Sequence, residues 1–485
     1  MPVNSKQWLA EVYPNVAELQ LAELQLDSRK VRAGDVFVAL PGTQTDGHRY
    51  IEQALMQGAA LVLCSEPGLV HERVLLLPEL QQQLPQLAAR FYQQPAQQMQ
   101  LLGVTGTNGK SSTTFFINQL AEQLALPSAV IGTLGYGRWL SLTELANTTP
   151  HYIDIQRILS EQLQQQVQLV AMEVSSHALV QHRLAGLHFQ VAIFTNLSRD
   201  HLDYHGSMQE YAGAKSLLFK PELCSTAVLN VSDAQGRALA ATQDVPVWVY
   251  GKAADCHGFN RYLAYQQLNA TTQGFDCLLT SHAGEHQLQL PLLGEFNVQN
   301  ALAAISGLLA LGYDLSSLLQ AASKLQPVPG RMEQFHFASG STVVVDYAHT
   351  PDALEQALAA LRLHCRGRLW CVFGCGGDRD RGKRPLMGKI AQQGADHVII
   401  TSDNPRSEDP LRICQDIADG MHSDAAYQLE PDRKLAIKLA IASAQPGDVI
   451  LLAGKGHEKV QIFAGVHHPY DERAFVRQLM SELLA

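Results

Sequence analysis

No stretch of this sequence is both apolar enough and long enough to span a membrane. The longest apolar runs, AALVLC at 59–64 and DVILLAG at 448–454, fall far short of the roughly 20 residues that a membrane-spanning helix needs. The first residues, MPVNSKQWLAEVYP, contain neither the basic nor the apolar segment of a secretory signal. We therefore expect a cytoplasmic protein that does not associate with membranes.

Positive charge and clustered cysteine are also scarce. The chain has 36 Lys and Arg against 46 Asp and Glu, a formal net charge of -10, which disfavours a nucleic-acid partner. Its eight cysteines are scattered. The closest pair, Cys371 and Cys375, has an apolar setting that is typical of strand residues rather than of zinc ligands. We expect reduced thiols.

The length of 485 residues exceeds what one hydrophobic core normally serves, so the sequence predicts several domains. A glutamine-rich segment, QQPAQQMQ at 93–100, is typical of a linker. A second break, PVPGRME at 327–333, is rich in Pro and Gly. We place the domains at 1–97, 98–329 and 330–485.

The second and third predicted domains repeat one pattern, in which a short apolar run ends abruptly in a polar cluster. Helix-like segments separate these runs, which predicts βαβ units and parallel sheets in an α/β fold. Ligands of such sheets bind beyond the carboxyl ends of the strands. Seven polar clusters occupy that position, which favours an enzyme. The runs and clusters are QLLGV with TGTNGKSS, LVAM with EVSSH, VAIF with TNLSRDHLDYHG, TVVV with DYAHTP, RLWCVF with GCGGDRDRGKRP, HVII with TSDNPRSEDP, and VILLA with GKGHE.

The segment LLGVTGTNGKSSTTFFI, 101–117, is similar to a phosphate-binding loop but departs from the Walker A pattern, because Val104 stands where the first glycine is expected. Glycines in it can adopt positive φ and let backbone N–H groups approach phosphate oxygens. A helix starting near Lys110 would direct its positive end at the anion. The alternative is a strand-to-helix turn that binds nothing. The predicted nucleotide contacts are Gly106, Thr107, Asn108, Gly109, Lys110, Ser111 and Ser112.

Two further side chains suggest metal chemistry, and a third acquires that role only through the resemblance described below. Glu173 follows the strand LVAM, where a carboxylate can hold Mg²⁺ against phosphates, although an acid at a helix N-terminus would look the same. His201 lies in NLSRDHLDYHG and is either a ligand or a core histidine with satisfied hydrogen bonds. Lys215, in YAGAKSLLF, by itself suggests a helix lysine whose stem lies on an apolar face.

The TGTNGK loop followed by Ser resembles that of the Mur ligases and of their relatives, the folylpolyglutamate synthetases, which form amide bonds with ATP. The segments YAGAKSLLF, GEFNVQNALAA, PGRME and DYAHTPDAL also resemble Mur ligase motifs, in order along the chain. The resemblance implies three α/β domains. These are a small N-terminal domain for a uridine nucleotide, a central P-loop ATPase domain with a mostly parallel sheet, and a C-terminal Rossmann-like domain.

The resemblance also implies roles for individual residues. Lys215 would carry a carbamate (N6-carboxylysine), and Mg²⁺ would be held by Ser111, Glu173, His201 and the modified Lys215. Asn297 would lie on the adenine side, Arg331 would reach the γ-phosphate and Asp346 would bind the ribose. The implied catalytic residues are Lys110, Lys215, His201 and Arg331.

The stretch TSDNPRSEDP resembles the DNPR motif of the branch that adds meso-diaminopimelate to a UDP-muramoyl dipeptide. Arg406 suits this amino acid because its planar guanidinium can bind the distal carboxylate with two hydrogen bonds. The implied diaminopimelate contacts are Arg379, Asp403, Asn404, Pro405, Arg406, Gly454 and Glu458. Around Arg379 the alternative is a solvated charged loop.

The other substrate has its own implied set of contacts. Those to the UDP-muramoyl peptide are Leu26, Ser28, Thr43, Gln44, Thr45, Asn147, Thr148, Thr149, Ser175, Gln181 and Arg183. Residues 43–45 could equally be ordinary turn residues. We expect a monomer acting on small molecules. Two alternatives remain: a folylpolyglutamate synthetase, against which the first 97 residues and DNPR count, and a nucleotide-gated binding protein without catalysis.

Overall fold

A computed structural model describes residues 2–41, 46–422 and 427–482. The chain forms two compact units. The first comprises Met1–Thr105, Leu126–Ala192 and His201–Ser225, and the second comprises Gly106–Ala125, Ile193–Asp200 and Thr226–Ala485. None of the helices in the described part of the chain is long and apolar enough to cross a membrane. The predicted contacts Thr43, Gln44 and Thr45 lie outside the described residues.

The N-terminal part of the first unit has a four-stranded parallel sheet, in the order β3-β4-β5-β6. All four residues of β4 and of β5 are buried, because helices and loops cover both faces of the sheet. The elements are β1 Val3–Asn4, α1 Ser5–Leu9, β2 Gln20–Leu21, β3 Leu24–Gln25, β4 Val36–Ala39, α2 Ile51–Met56, β5 Leu61–Cys64, β6 Val74–Leu76 and α3 Leu80–Phe91.

Residues 98–225 continue the α/β pattern. Their elements are β7 Gln100–Thr105, α4 Lys110–Gln123, β8 Ser128–Gly132, β9 Gly135–Arg138, β10 Ser141–Thr143, α5 Tyr152–Gln164, β11 Leu169–Glu173, α6 Ser176–Val180, β12 Val191–Phe194, α7 Leu202–His205 and α8 Met208–Ser216. Within the first unit the strand order is β10-β9-β8-β11-β7. Strands β7, β11 and β8 are parallel, while β9 and β10 are antiparallel additions that the apolar-run pattern did not predict.

The second unit continues with β13 Ala227–Asn230, α9 Ala234–Ala240, β14 Val247–Lys252, β15 Tyr262–Ala270, β16 Phe275–Ser281, β17 Gly284–Leu290, α10 Glu295–Ala310 and α11 Leu315–Ala322. Strands β13, β14 and β15 are parallel, and β15, β16 and β17 form an antiparallel meander. Helix α10 packs against α4. A long, apolar helix therefore supports α4.

The C-terminal part of the second unit has a six-stranded sheet in the order β18-β19-β23-β20-β21-β22, parallel apart from β18. Buried clusters cover both of its faces. Its elements are β18 Glu333–His336, β19 Thr342–Asp346, α12 Pro351–Arg362, β20 Leu369–Phe373, α13 Lys383–Gly394, β21 His397–Ile400, α14 Pro410–Ala418, β22 Tyr427–Leu429, α15 Arg433–Ser443, β23 Val449–Ala453, β24 Val460–Phe463, β25 Val466–Pro469 and α16 Glu472–Glu482.

All seven apolar runs singled out in the sequence form strands that end where the polar clusters begin. One detail was wrong. Cys371 lies in β20, but Cys375 lies two residues beyond that strand. Both thiols are free and buried, and Cys375 Sγ lies 3.6 Å from Met387 Sδ, so neither has the polar environment of a zinc ligand.

Candidate functional site

The glycine-rich loop between β7 and α4 has the backbone that the sequence predicted. Gly106 and Gly109 have φ of +153° and +85°. A Cβ on Gly106 would clash with Thr195 Oγ1, and one on Gly109 would clash with Asn300 Oδ1. Helix α4 begins at Lys110, and its N-cap residue Gly109 makes no side-chain cap hydrogen bond. The loop thus brings a close-packed backbone and a helix N-terminus to one place, as anion binding requires.

The residues that follow β12 brace this loop. Thr107 N donates to Asn196 O and Asn108 N to Asn196 Oδ1, both at 2.9 Å. Thr195 Oγ1 donates to Asn108 O at 2.6 Å. Sequence reasoning singled out the cluster TNLSRDHLDYHG but missed Asn196. Its position two residues beyond a buried strand was the available signal.

The ammonium of Lys110 lies against the loop. Its Nζ donates to Gly106 O and Thr107 O, each at 2.8 Å. Asn297 and Asn300 are buried on the first turns of α10. Asn297 Nδ2 donates to Leu293 O at 2.9 Å, and Asn300 Nδ2 donates to Asn297 Oδ1 at 3.3 Å.

In the first unit, Glu173 is 1% exposed at the end of β11. Its Oε1 accepts from Thr133 N at 2.9 Å and its Oε2 from Thr133 Oγ1 at 3.2 Å. Thr133 Oγ1 also lies 3.1 Å from Thr148 Oγ1. A Cβ on Gly132 would clash with Glu173 Oε1, so this carboxylate occupies a tightly enclosed place.

Several predicted peptide contacts gather beside Glu173. Thr149 Oγ1 donates to Glu173 O at 2.8 Å and accepts from Ser175 N at 3.0 Å. Arg183 Nη1 donates to Thr149 O at 2.9 Å, and Arg183 Nη2 donates to Gln181 Oε1 at 2.6 Å. The structure therefore joins the NTTP and SSHALVQHR segments into one polar network, while Asn147 is exposed next to it.

The predicted lysine lies against a tyrosine ring, and a cluster of imidazoles lies nearby. Lys215 is 1% exposed on α8, and its Nζ lies 4.4 Å from the centroid of the Tyr211 ring. The His177 ring centroid lies 5.0 Å from that of His201 and 5.4 Å from that of His205. Burial lowers the pKa of His177 and of His205, and neighbouring cationic groups, Lys215 beside His205 among them, lower it further. The environment thus favours neutral imidazoles.

Across residues 2–41, 46–422 and 427–482, no group of three or more His, Cys, Asp or Glu side chains is arranged to hold a metal ion. The Glu173 carboxylate accepts two hydrogen bonds, whereas a carboxylate has about four lone-pair positions, so it keeps acceptor capacity.

Asp346, the last residue of β19, interacts with Arg331, which precedes β18. Asp346 Oδ2 accepts from Met332 N at 2.8 Å and Oδ1 from Ala348 N at 2.9 Å. Burial raises the pKa of this carboxyl, while Arg331 and the two amides act in the opposite direction. The Arg331 guanidinium lies 4.6 Å from the centroid of the Tyr347 ring, a cation–π contact that orients it.

The DNPR turn lies against β24. Arg406 has φ of +53°, and its N donates to Ile462 O at 2.9 Å. Its Nη1 donates to Gly377 O at 2.9 Å. A Cβ on Gly376 would lie 2.8 Å from Arg406 Nη1 and 3.6 Å from Arg379 Cγ, so both predicted guanidinium groups flank this glycine. Arg379 itself is exposed.

Glu458 joins the same turn. Its Oε2 accepts from Asn404 Nδ2 at 2.9 Å and from Lys455 Nζ at 2.6 Å. Burial alone would raise the pKa of Glu458, but the hydrogen bond and charge of Lys455 outweigh it and lower the pKa. Burial raises the pKa of Asp403, against the charge of Lys455. Gly454 also faces Asp403, whose carboxylate carbon would lie 3.8 Å from a Cβ there.

Two structural residues in this region were missed by sequence reasoning. Lys455 is buried within GKGHE, and Arg384, in GGDRDRGKRP, is buried between Glu408 and Asp416. The solvated-loop alternative therefore fails for Arg384 while describing Arg379. A lysine two residues beyond a buried strand was the available signal for Lys455.

Two of the predicted contacts to the uridine nucleotide, Leu26 and Ser28, lie among the described residues. Leu26 is 36% exposed, and Ser28 is buried with its Oγ donating to Gln53 Oε1 at 3.3 Å. Both residues lie in the connection between β3 and β4, separated by Asp27. The remaining predicted residues there are the undescribed 43–45.

Three consecutive parts of the chain match Mur ligase domains. Residues 20–92 match the Mur ligase family catalytic domain, 104–308 the Mur ligase middle domain, and 330–456 the Mur ligase glutamate ligase domain. The predicted three-domain α/β fold is confirmed by these matches.

Whole-chain relatives agree. UDP-N-acetylmuramoyl-L-alanyl-D-glutamate–2,6-diaminopimelate ligase of Vibrio vulnificus (strain YJ016) is 46% identical over 479 residues, covering 96% of each chain. A solved structure of a ligase with that name is 36% identical, covers 100% of both chains and has a TM-score of 0.75. The MurF ligase of Thermotoga maritima in complex with ADP, 18% identical over 95% of this chain and 97% of its own, has a TM-score of 0.65 and shows the fold alone. The chain belongs to the Mur ligase family.

Proposed function

We propose that this protein is an ATP-dependent ligase that adds meso-2,6-diaminopimelate to UDP-N-acetylmuramoyl-L-alanyl-D-glutamate, a step in peptidoglycan precursor synthesis. The single observation that carries the proposal is the 46% identity, along 96% of both chains, to a ligase named for these substrates. The intact DNPR turn, packed with Glu458 and Gly454, supports the choice of amino acid.

The proposed reaction has two steps. The side-chain carboxylate of the D-glutamyl residue attacks the γ-phosphorus of ATP, forming an acyl phosphate and releasing ADP. The amine of diaminopimelate then attacks the acyl carbon, forms the amide bond, loses its proton and expels phosphate. The protein's main task is to hold the reactants in place and to neutralise charge.

The residues around the glycine-rich loop hold the triphosphate. Backbone N–H groups of 106–109 and the start of α4 bind phosphate oxygens, and Lys110 exchanges its two loop carbonyls for the β- and γ-phosphates. Arg331, oriented by Tyr347, stabilises charge on the γ-phosphate. Asn297 and Asp346 bind the adenine side and the ribose.

The donor types fit Mg²⁺, which prefers oxygen ligands. Ser111, the buried Glu173, His201 and a carbamate on Lys215 would hold it. When bound, the ion supplies positive charge that offsets the charge of the phosphates. Carbon dioxide adds only to a neutral amine, and burial disfavours the charged ammonium. The burial of Lys215 beside the Tyr211 ring therefore supports the carbamate.

Selection of the amino acid is assigned to Arg406 with Arg379. The distal carboxylate distinguishes diaminopimelate from lysine, and leaving Arg406 without that carboxylate would cost binding energy. Glu458, Asp403 and the backbone at Gly454 would face the ammonium end. The UDP-muramoyl peptide would contact the network of Thr148, Thr149, Ser175, Gln181 and Arg183, with Asn147 beside it and Leu26 and Ser28 on the uridine side.

We further propose a cytoplasmic monomer with domains at 1–97, 98–329 and 330–485. The nature of the substrates supports the compartment, since ATP and UDP-linked precursors are cytoplasmic reactants.

The direct test measures phosphate release with UDP-muramoyl dipeptide, ATP and Mg²⁺, with and without diaminopimelate. We expect release that depends on the amino acid, and mass spectrometry of a reaction containing equal lysine and diaminopimelate should find the diaminopimelate product. Lys110→Ala should abolish release. A nucleotide-gated binding protein would release no phosphate in response to diaminopimelate, and a lysine product would overturn the role of Arg406.

A further inference from the structure

Lys455 is a fully buried cation that is absent from the predicted substrate contacts. Its side chain is 0% exposed, so it cannot touch a ligand. Its Nζ donates to Asn404 Oδ1 at 3.0 Å, to Glu458 Oε2 at 2.6 Å and to Val460 O at 2.7 Å. An ammonium has three protons, and these three acceptors use all of them. Any effect of Lys455 on a ligand must therefore pass through its partners.

Those partners leave one carboxylate oxygen of Glu458 for a ligand. Both donors to Glu458 bind the same oxygen, Oε2, while its Oε1 has no hydrogen-bond partner within the described ranges and the side chain is 30% exposed. Asp403 Oδ1 lies 3.5 Å from Lys455 Nζ and is itself buried, so it contributes charge to the site rather than an accessible oxygen. One cation between two carboxylates leaves one net negative charge, which suits an incoming ammonium.

The same lysine connects two backbone segments. Its bond to Val460 O reaches the first residue of β24. That strand also holds the DNPR turn, because Ile462 N donates to Asn404 Oδ1 at 3.1 Å and Gln461 Nε2 donates to Asp403 O at 3.0 Å. Loss of the ammonium would release the Glu458 carboxylate and loosen the turn together.

We propose that Lys455 is the positioning residue of the amino-acid site, which fixes Glu458 and Asn404 and sets the site's charge so that it accepts the ammonium group of a zwitterionic amino acid. This inference rests on the proposed function. It adds a residue that acts on diaminopimelate without touching it. The other reading is a buried salt bridge that serves stability alone.

The test compares Lys455→Met, which keeps the apolar stem and removes the charge, with Arg362→Met. Arg362, the last residue of α12, forms a partly exposed ion pair with Asp396 and serves as the control. For Lys455→Met we expect KM for diaminopimelate to rise roughly 10- to 100-fold, as for loss of hydrogen bonds to a charged group. The KM for ATP and for the UDP-muramoyl dipeptide should stay within about twofold of wild type, and Arg362→Met should change none of the three.

A pH profile separates positioning from structure. Without Lys455 the pKa of Glu458 should rise, so more of its carboxyl is protonated and the ammonium binds less well at lower pH. The defect in KM should thus be larger at about pH 6.5 than at about pH 8.5. The carboxyls of Asp403 and Glu458 face each other's charge. The other charged and titratable groups that face them are Lys455, His457, Tyr347, Arg433 and Glu472.

The outcomes are distinct. An inactive wild-type enzyme would overturn the proposed function itself. An active wild type with an unchanged KM for diaminopimelate in Lys455→Met, or with equal loss in all three KM values, would overturn only the role of Lys455. Should both Lys455→Met and Lys455→Gln fail to fold by circular dichroism, Lys455 would belong to stability and the inference would be wrong.

Discussion

At the scale of single residues, the molecule buries charged side chains where its proposed chemistry needs them. Lys215, Glu173 and Lys455 are each almost fully buried, and long charged side chains are seldom buried unless they are paired or functional. Each is fixed by a different environment: aromatic and imidazole rings, threonine donors, or carboxylates. Burial separates these residues from ordinary surface charges of the same type.

The proposed carbamate on Lys215 can be tested by substitution. Lys215→Ala should lower kcat by about a hundredfold or more, because the active site loses an anion that helps to hold positive charge at the phosphates. Short carboxylic acids added to the assay should restore part of the rate. Lys220→Ala, an exposed lysine five positions along, is the control and should retain activity. Normal turnover by Lys215→Ala would disprove the modification.

At the scale of elements, loops are fixed by neighbours far away in sequence. The glycine-rich loop takes its conformation from Thr195 and Asn196, and the DNPR turn takes its conformation from β24. In both cases a strand end or hairpin provides backbone or amide partners. Loops held in this way are arranged for a ligand before it binds, which lowers the entropic cost of binding.

Gly106→Ala tests the first of these loops. An alanine Cβ would clash with Thr195 Oγ1, and φ of +153° strains any L residue, so the loop must move. We expect kcat/KM for ATP to fall at least about tenfold. Gly68→Ala has nothing within 4 Å of the new Cβ and should behave as wild type. Unchanged ATP kinetics in Gly106→Ala would contradict the tight packing.

Helices α13 and α14 are joined by an ion network that makes stability depend on pH. Hydrogen bonds from Arg384 lower the pKa of Glu408 to about 2, from an ordinary 4.5. A carboxyl with a lowered folded-state pKa contributes stability above its unfolded pKa and loses it as the pH falls. Acidification from 4.5 towards 2 should therefore destabilise the protein in part through Glu408.

The measurement is the midpoint of thermal unfolding against pH for wild type and Glu408→Gln, followed by circular dichroism. The variant should be less stable near neutral pH and should lose less stability on acidification. Glu285→Gln, at an exposed position on β17, should follow the wild-type curve. Parallel curves for wild type and Glu408→Gln would refute the assignment.

At the scale of the whole molecule, stability depends on ionic pairs within the cores as well as on apolar packing. Arg433, at the start of α15, is paired with Glu472 of α16, and both side chains are 0% exposed. Arg433 Nη2 also donates to Ala453 O at 3.0 Å, and Tyr470 Oη donates to Glu472 Oε2 at 2.9 Å. The pair thus anchors two helices to the end of β23.

Arg433→Met should lower the free energy of unfolding by about 3–5 kcal/mol, because it leaves the Glu472 carboxylate buried and unpaired. Adding Glu472→Met should recover much of that loss, since no buried charge then remains. Urea unfolding of the two variants and of wild type measures the difference. If the double variant were no more stable than the single one, the unpaired charge of Glu472 would not be the main cause of the lost stability.

Local sequence patterns were enough to predict the α/β fold, the seven strand ends with their polar clusters, the glycine-rich loop and the family resemblance. All of these depend on local patterns: buried strands are apolar runs, and glycine and lysine at fixed spacing mark a phosphate loop. Tertiary structure alone decided that Asn196 braces the loop, that Arg384 and Lys455 are buried, and that Glu458 offers one oxygen rather than two. Those features depend on contacts between residues far apart in the chain, which local composition does not encode.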